Sequence, residues 1–166
     1  MENKNKGMLL ESIINATNHF YLLNKIALIH KKNLDVKFKG VDLKNNKLVL
    51  KDASIKSKST VDYYGIYQGK FIAFEAKSTE ENNFVLKNIK QHQIEYLNQV
   101  EYFGGFAFWI IYFKIQNEFI MIGHRRLIEI IKNKKTLSHD LCKRNGVILS
   151  LTFPGILDFI DYCFKI

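Results

Sequence analysis

Thr60-Val61-Asp62-Tyr63-Tyr64-Gly65-Ile66-Tyr67-Gln68-Gly69-Lys70-Phe71-Ile72-Ala73-Phe74-Glu75-Ala76-Lys77-Ser78-Thr79 is the stretch around which the rest of the chain is organised. Two runs rich in Val, Ile, Tyr and Phe suit a pleated, half-buried surface, and Gln68-Gly69 between them supplies the positive φ of a tight turn, so the stretch reads as a β-hairpin. With the turn centred there, Tyr67 faces Lys70 and the numbers of paired residues add to 137. That register sets Asp62 opposite Glu75 and Thr60 opposite Lys77. Side chains alternate with period two, so all four share one face, with directly opposed Cβ atoms about 4.5–5.5 Å apart. Two carboxylates that close repel unless a cation sits between them. A four-residue loop with the same centre keeps this register, whereas a three-residue loop slips it and sends Asp62 and Glu75 to opposite faces. Taken alone, the two acids fit a solvated hairpin with scattered charges. Glu75, however, closes the apolar run Phe71-Ile72-Ala73-Phe74, where a carboxylate is costly unless a partner or metal compensates it.

The chain has 166 residues, 47% of them hydrophobic, enough for one domain (1–166) with a real core and too few for two ordinary ones. Lys and Arg total 25 against 16 Asp and Glu, a net charge of +9 that favours a polyanionic partner, nucleic acid above all. No apolar run approaches the ~18 residues of a spanning helix and the N-terminus lacks a signal-peptide pattern, so the expectation is a soluble cytoplasmic protein with no membrane partner. Cys142 and Cys163 form neither a CxxC nor a His/Cys cluster, which argues against a zinc site or a disulfide framework and for reduced thiols. The five histidines are dispersed and read as structural or surface residues.

Asn3 to Lys6 is a short polar, mobile start. From Gly7 to about Leu23 the apolar positions Leu10, Ile13, Ile14, Phe20 and Tyr21 follow helical spacing, with Thr17 on the stripe. Glu11 borders that stripe and either leans into a site beneath the helix or faces water. Ile26 to Ile29 reads as a short strand. Lysines 31, 32, 37, 39, 44, 47, 51, 56 and 58 then face only aspartates 35, 42 and 52, a local surplus of six positive charges. Two strand-like runs, Val36 to Leu43 and Lys47 to Ala53, flank the turn signal Asn45-Asn46, so residues 33–59 read as a projecting basic hairpin. It is either an ordinary solvated hairpin or an arm that grips phosphates.

Beyond the polar Glu80 to Asn83, a helix is expected from about Phe84 to Tyr102, with the stripe Leu86, Ile89, Gln93, Leu97 and Val100. Gln93 thus faces the core, where its amide needs partners; the carboxylate site offers one, and a satisfied core glutamine is the alternative. Gly104-Gly105 ends the helix, and Phe106 to Phe113 is apolar enough for a central strand covered on both faces. Phe119 to Ile122 pairs beside it, Arg125 to Asn133 suggests a helix, and 132–146 reads as a charged, mobile connection. Val147 to Phe153 is a last strand, Pro154-Gly155 breaks it, and Ile156 to Phe164 is helical. There is no Gly-rich phosphate loop and no GxSxG elbow, which leaves a nuclease-like carboxylate site ahead of nucleotide hydrolysis or acyl transfer.

This order of helix, strands, Asp on one strand, Glu-x-Lys on the next and Gln on a following helix resembles the PD-(D/E)xK, restriction-endonuclease-like superfamily. Within it, Asn5-Lys6-Gly7-Met8, Ala27-Leu28-Ile29-His30-Lys31-Lys32, Ser59-Thr60-Val61-Asp62-Tyr63-Tyr64-Gly65, Phe74-Glu75-Ala76-Lys77, Leu86-Lys87-Asn88-Ile89 and His92-Gln93 resemble the RecU family of Holliday junction resolvases. The likeness runs from Asn5 to Phe113 and weakens beyond Phe119. It implies an α/β fold with a central mixed β-sheet flanked by helices and a protruding basic β-hairpin stalk. It also implies a homodimeric, Mg²⁺-dependent endonuclease, with Mn²⁺ as a substitute ion, that nicks opposed strands of four-way, branched DNA in recombination and repair. By motif matching, Thr60, Asp62, Glu75 and Gln93 fall on the family's metal positions, Lys77 on its catalytic lysine and Glu11 on an accessory glutamate. The lysines from 31 to 58 fall on the DNA-binding stalk. Two other readings are a nuclease for duplex ends or restriction sites, and a DNA-binding factor with a vestigial site.

Overall fold

The computed structural model describes residues 7–57 and 60–165. The expected polar start at 3–6, as well as Lys58, lies outside the described residues. Helix α1 (Met8–Leu23) forms where the apolar spacing predicts, burying Leu10, Ile14, Thr17, Asn18 and Tyr21. Lys25, at φ 57°, and the Ile26 N–H bond to Tyr21 O hold the next residues in the helix's closing turn. Strand β1 (Leu28–Lys31) therefore starts two residues later than the run 26–29 suggests.

The lysine-rich segment folds into nested pairs. Its strands are β2 (Asp35–Lys37), β3 (Gly40–Lys44), β4 (Lys47–Lys51) and β5 (Ser54–Ser57), with β3 on β4 and β2 on β5, both antiparallel. Asn45 and Asn46, at φ 49° and 58°, make the expected turn, with Lys44 facing Lys47. Of the two runs expected here, the first is interrupted at 38–39, and the second is continuous but stops at Lys51, before Asp52 takes φ 50°. Neither pair joins the main sheet.

Strands β6 (Tyr63–Tyr67) and β7 (Lys70–Thr79) form the central hairpin in the predicted register, from Tyr67↔Lys70 to Tyr63↔Phe74. Gln68 and Gly69, at φ 48° and 76°, supply the two left-handed residues that this tight turn demands. Gly65 serves a different need. A Cβ there would meet Leu28 O at 2.1 Å and Ile29 Cα at 2.7 Å, so only glycine lets β1 lie against β6. The ladder stops at Tyr63, so Asp62 and Thr60 are not ladder partners of Glu75 and Lys77 as the arithmetic extends them; β7 runs on alone on that side.

The helix expected from Phe84 begins only at Gln91. Residues 83–85 form β8 (Asn83–Val85), which buries Phe84 and is followed by a single 3-10 turn at Leu86–Asn88 before α2 (Gln91–Tyr102). Next come β9 (Phe106–Phe113), β10 (Glu118–Gly123) and α3 (His124–Ile131). The stretch 132–146, expected as a mobile connection, instead holds β11 (Thr136–Ser138) and α4 (His139–Asn145). Pairing of β11 with β8 brings Leu137 opposite Phe84, both buried, and that contact organises both segments where charge density alone suggests a loop. The last expected strand splits into β12 (Val147–Leu149) and β13 (Leu151–Thr152), and the expected final helix is β14 (Ile156–Leu157), paired with β13, followed by a 3-10 turn at Ile160–Tyr162.

Six strands make one mixed sheet in the order β1-β6-β7-β9-β10-β12, with β7 and β9 parallel and the other neighbours antiparallel. Strand β9 is buried on both faces, as its unbroken apolar run requires. Phe108, Ile110 and Tyr112 join the core beneath α1 and the C-terminal segment, while Ala107, Trp109, Ile111 and Phe113 join the core beneath α2, α3 and α4. The C-terminal segment is fastened to α1 by Thr17 Oγ1, which accepts from Leu157 N–H at 2.9 Å, and by Tyr21, whose hydroxyl donates to Asp158 Oδ1 at 2.7 Å. Cys163 lies in the first core and Cys142 in the second; both are free, and burial pushes each thiol up to about 12. No helix among the described residues is long and apolar enough to cross a membrane.

Candidate active site

The site lies where β7 outruns β6. Over Glu75 to Thr79, β7 still pairs with β9, from Glu75↔Trp109 to Thr79↔Phe113, but its other edge has no strand partner among the described residues. Asp62 takes over that edge, its Oδ2 accepting from Ala76 N–H at 3.1 Å. The backbone of Asp62 is held in turn by Lys32 N–H, which donates to Asp62 O at 2.8 Å just past the β1–β6 ladder.

Glu75 is fully buried. Its Oε2 accepts from Lys77 Nζ and from Gln93 Nε2, each at 2.6 Å, while its Oε1 has no hydrogen-bond partner among the described residues. Lys77 stands two residues along the same face of β7, and its ammonium also lies 3.7 Å from Asp62 Oδ2. Burial is the main cause pushing the Glu75 carboxyl up to about 8; Lys77 pulls it back and the Asp62 charge raises it further. Gln93 reaches Glu75 from the first turn of α2, and its Oε1 accepts from Lys90 N–H at 3.0 Å. Asp62, Glu75, Lys77 and Gln93 are thus brought together, and Thr60 stands half-buried two residues before Asp62.

A cleft of about 320 Å³ opens beside Asp62 and Lys77, walled also by Leu10 and Glu11 of α1, Lys31 of β1, and Ala76 and Ser78 of β7, with Glu75 buried behind them. Glu11 is solvent-exposed and ion-paired with Lys31 across the cleft, so it both faces water and borders the site. Ser78 belongs to none of the sequence motifs, yet it lines the cleft beside Lys77. Of the other lysines singled out, Lys32 lies 3.8 Å from Asp35, Lys39 pairs with Asp52 at 3.5 Å and Lys51 with Asp42 at 3.2 Å. Lys37, Lys44, Lys47 and Lys56 are exposed on the nested hairpins. A second cleft, about 440 Å³, lies between α2 and α3, where Arg125 and Arg126 face Glu101 and Glu129 and their charges offset each other.

The donor set suits a hard divalent cation. No group of three His, Cys, Asp or Glu side chains converges anywhere among the described residues, which argues against a zinc-type cage. Two neighbouring carboxyl groups, one with a buried oxygen lacking a donor, offer the oxygen ligands that such a hard cation takes.

Comparison with known proteins shows the family. The family model described as "Recombination protein U" matches residues 5–165, so the likeness continues through the C-terminal third, where the sequence motifs thin out. A Holliday junction resolvase RecU from Mycoplasmopsis pulmonis is 41% identical over 164 residues, covering 98% of this chain and 96% of the relative. One from Bacillus pumilus is 38% identical, covering 94% of this chain and 78% of the relative. In fold alone, the chain is similar to Hjc, a Holliday junction resolvase from Archaeoglobus fulgidus, with a TM-score of 0.51 at 10% identity over 83% of this chain and 94% of that one. With the match spanning both the carboxylate site and the cores around it, the chain belongs to the RecU family.

Proposed function

We propose that this protein is a Holliday junction resolvase: an endonuclease of restriction-endonuclease-like fold that cuts four-way DNA junctions by phosphodiester hydrolysis with Mg²⁺, or Mn²⁺ in its place. The observation that carries this reading is the buried Glu75 carboxylate, with one oxygen fixed by Lys77 and Gln93 and the other without a donor, beside Asp62. Asp62 and Glu75 would hold the ion, with the Thr60 hydroxyl nearby. When bound, the ion lowers the pKa of an attacking water and neutralises charge developing on the phosphate.

The protein's own groups have distinct tasks. Asp62 is oriented by Ala76 N–H, which leaves its second oxygen for the cleft. Lys77, whose Nζ lies between the Asp62 and Glu75 carboxyl groups, offers a point charge to the non-bridging oxygens as the water–phosphorus bond forms and the bond to the leaving sugar oxygen breaks. Lys31, released from Glu11, would meet a backbone phosphate at the cleft mouth. The nested hairpins at 35–57 act as the basic stalk, with Lys37, Lys44, Lys47 and Lys56 available to phosphates. Paired nicks on opposed strands call for a homodimer, and sedimentation as a stable monomer at nicking concentrations would count against it.

The test compares a labelled four-way junction with linear duplex of the same sequence, with and without Mg²⁺. Metal-dependent nicking confined to the junction is expected. Equal cutting of the duplex would point to a nuclease of broader substrate range, and tight binding without nicking would point to a DNA-binding factor.

A further inference from the structure

Motif matching puts Gln93 among the metal ligands, but the hydrogen bonds around it assign a different task. Gln93 is 8% exposed, so both ends of its amide must be satisfied by protein. Its oxygen is already taken. Lys90 precedes α2 in extended conformation, and its N–H donates to Gln93 Oε1 at 3.0 Å while Gln93 N–H returns a bond to Lys90 O at 3.0 Å. That reciprocal pair closes the first turn of the helix. The amide nitrogen points the other way and donates to Glu75 Oε2 at 2.6 Å.

Only one orientation of this amide satisfies its neighbours. Turning it to present oxygen to the site would set its NH₂ against Lys90 N–H, two donors facing each other. The same turn would also take away the donor that Glu75 Oε2 now receives at 2.6 Å. We infer that Gln93 is a positioning residue and not a direct metal ligand: it ties Glu75 to the N-terminus of α2 and fixes Oε2, so that Oε1 is the oxygen presented to the cation. This inference rests on the metal reading of the site. It also gives α2 a functional role, because any shift of its first turn moves the Glu75 carboxylate with it.

The test uses the full-length protein without DNA, titrated with Mg²⁺ and followed by NMR and amide hydrogen exchange. Shifts at Asp62 and Glu75 report binding, and their absence would sink the metal reading along with the inference built on it. With those shifts present, exchange at the Lys90 amide should stay within about threefold of its metal-free rate. A larger acceleration would show that the Gln93 oxygen has left Lys90 for the metal, overturning this inference alone. A second arm uses Gln93→Glu, which keeps an oxygen for Lys90 N–H but loses the donor to Glu75. Lys90 should remain protected while junction nicking falls by about tenfold or more. A smaller fall would overturn the positioning role, since a direct oxygen ligand would have been preserved.

Discussion

Asp62 Oδ2 accepts the Ala76 N–H at 3.1 Å, so a side chain completes the edge of β7 at the residue between Glu75 and Lys77. This one bond sets the spacing of the two carboxylates and the lysine. Replacing Asp62 by Asn leaves an oxygen for Ala76 and removes the charge. Nicking should fall by about 10²-fold or more while the melting temperature stays close to that of the wild type. Junction affinity, measured by fluorescence anisotropy, should be nearly unchanged. A matching loss of affinity would mean that Asp62 serves binding and not chemistry.

Stability should depend on pH through Glu75. Its carboxyl is raised from an ordinary 4.5 to about 8 in the folded protein. Between those values the folded state holds a proton that the unfolded state has released, so the contribution of Glu75 to stability is highest below about 4.5 and declines as pH rises to about 8. Denaturant melts of metal-free protein at several pH values should show this decline. Glu75→Gln should flatten it, and Mg²⁺ at the alkaline end should recover stability. An equally steep decline in Glu75→Gln would assign the effect to other groups.

The exposed arm lysines should govern affinity without touching chemistry. Changing Lys37, Lys44, Lys47 and Lys56 together to Ala should weaken junction binding and lower the slope of log K against log salt by about one for each phosphate that the arm no longer neutralises. The rate of nicking at saturating protein should hold. An unchanged salt slope would make the arm an ordinary solvated hairpin.

Gly65→Ala should be among the most destabilising small substitutions in the chain, because the new methyl would overlap Leu28 O and Ile29 Cα of β1. The strand must move or detach, which should lower the melting temperature by several degrees or more. A melting curve like that of the wild type would show that β1 does not lie against β6 as described.

Much of the site is legible in the sequence because its determinants are local. Gln68-Gly69 fixes the turn and the turn fixes the register, which holds from Tyr67↔Lys70 to Tyr63↔Phe74. The arithmetic fails one step later, at Asp62, because nothing in the hairpin sequence announces that the ladder ends and a side chain replaces it. The start of α2 is hidden for a similar reason. Phe84 and Leu86 carry helical spacing, but Phe84 is claimed by Leu137 from a strand more than fifty residues away, a contact that periodicity cannot register. The same pairing explains why 132–146 is structured despite its charge. Glu11 is ambiguous on its helix because its partner, Lys31, lies on a different element.

The central claim is that the Glu75 carboxylate supports metal-dependent cleavage of a junction that the protein binds by other means. Single-turnover nicking of a four-way junction at saturating Mg²⁺, comparing wild type with Glu75→Gln at equal bound fraction, tests it most directly. Paired nicks on opposed strands by the wild type and none by the bound variant are predicted; equal nicking by the two proteins would contradict the account.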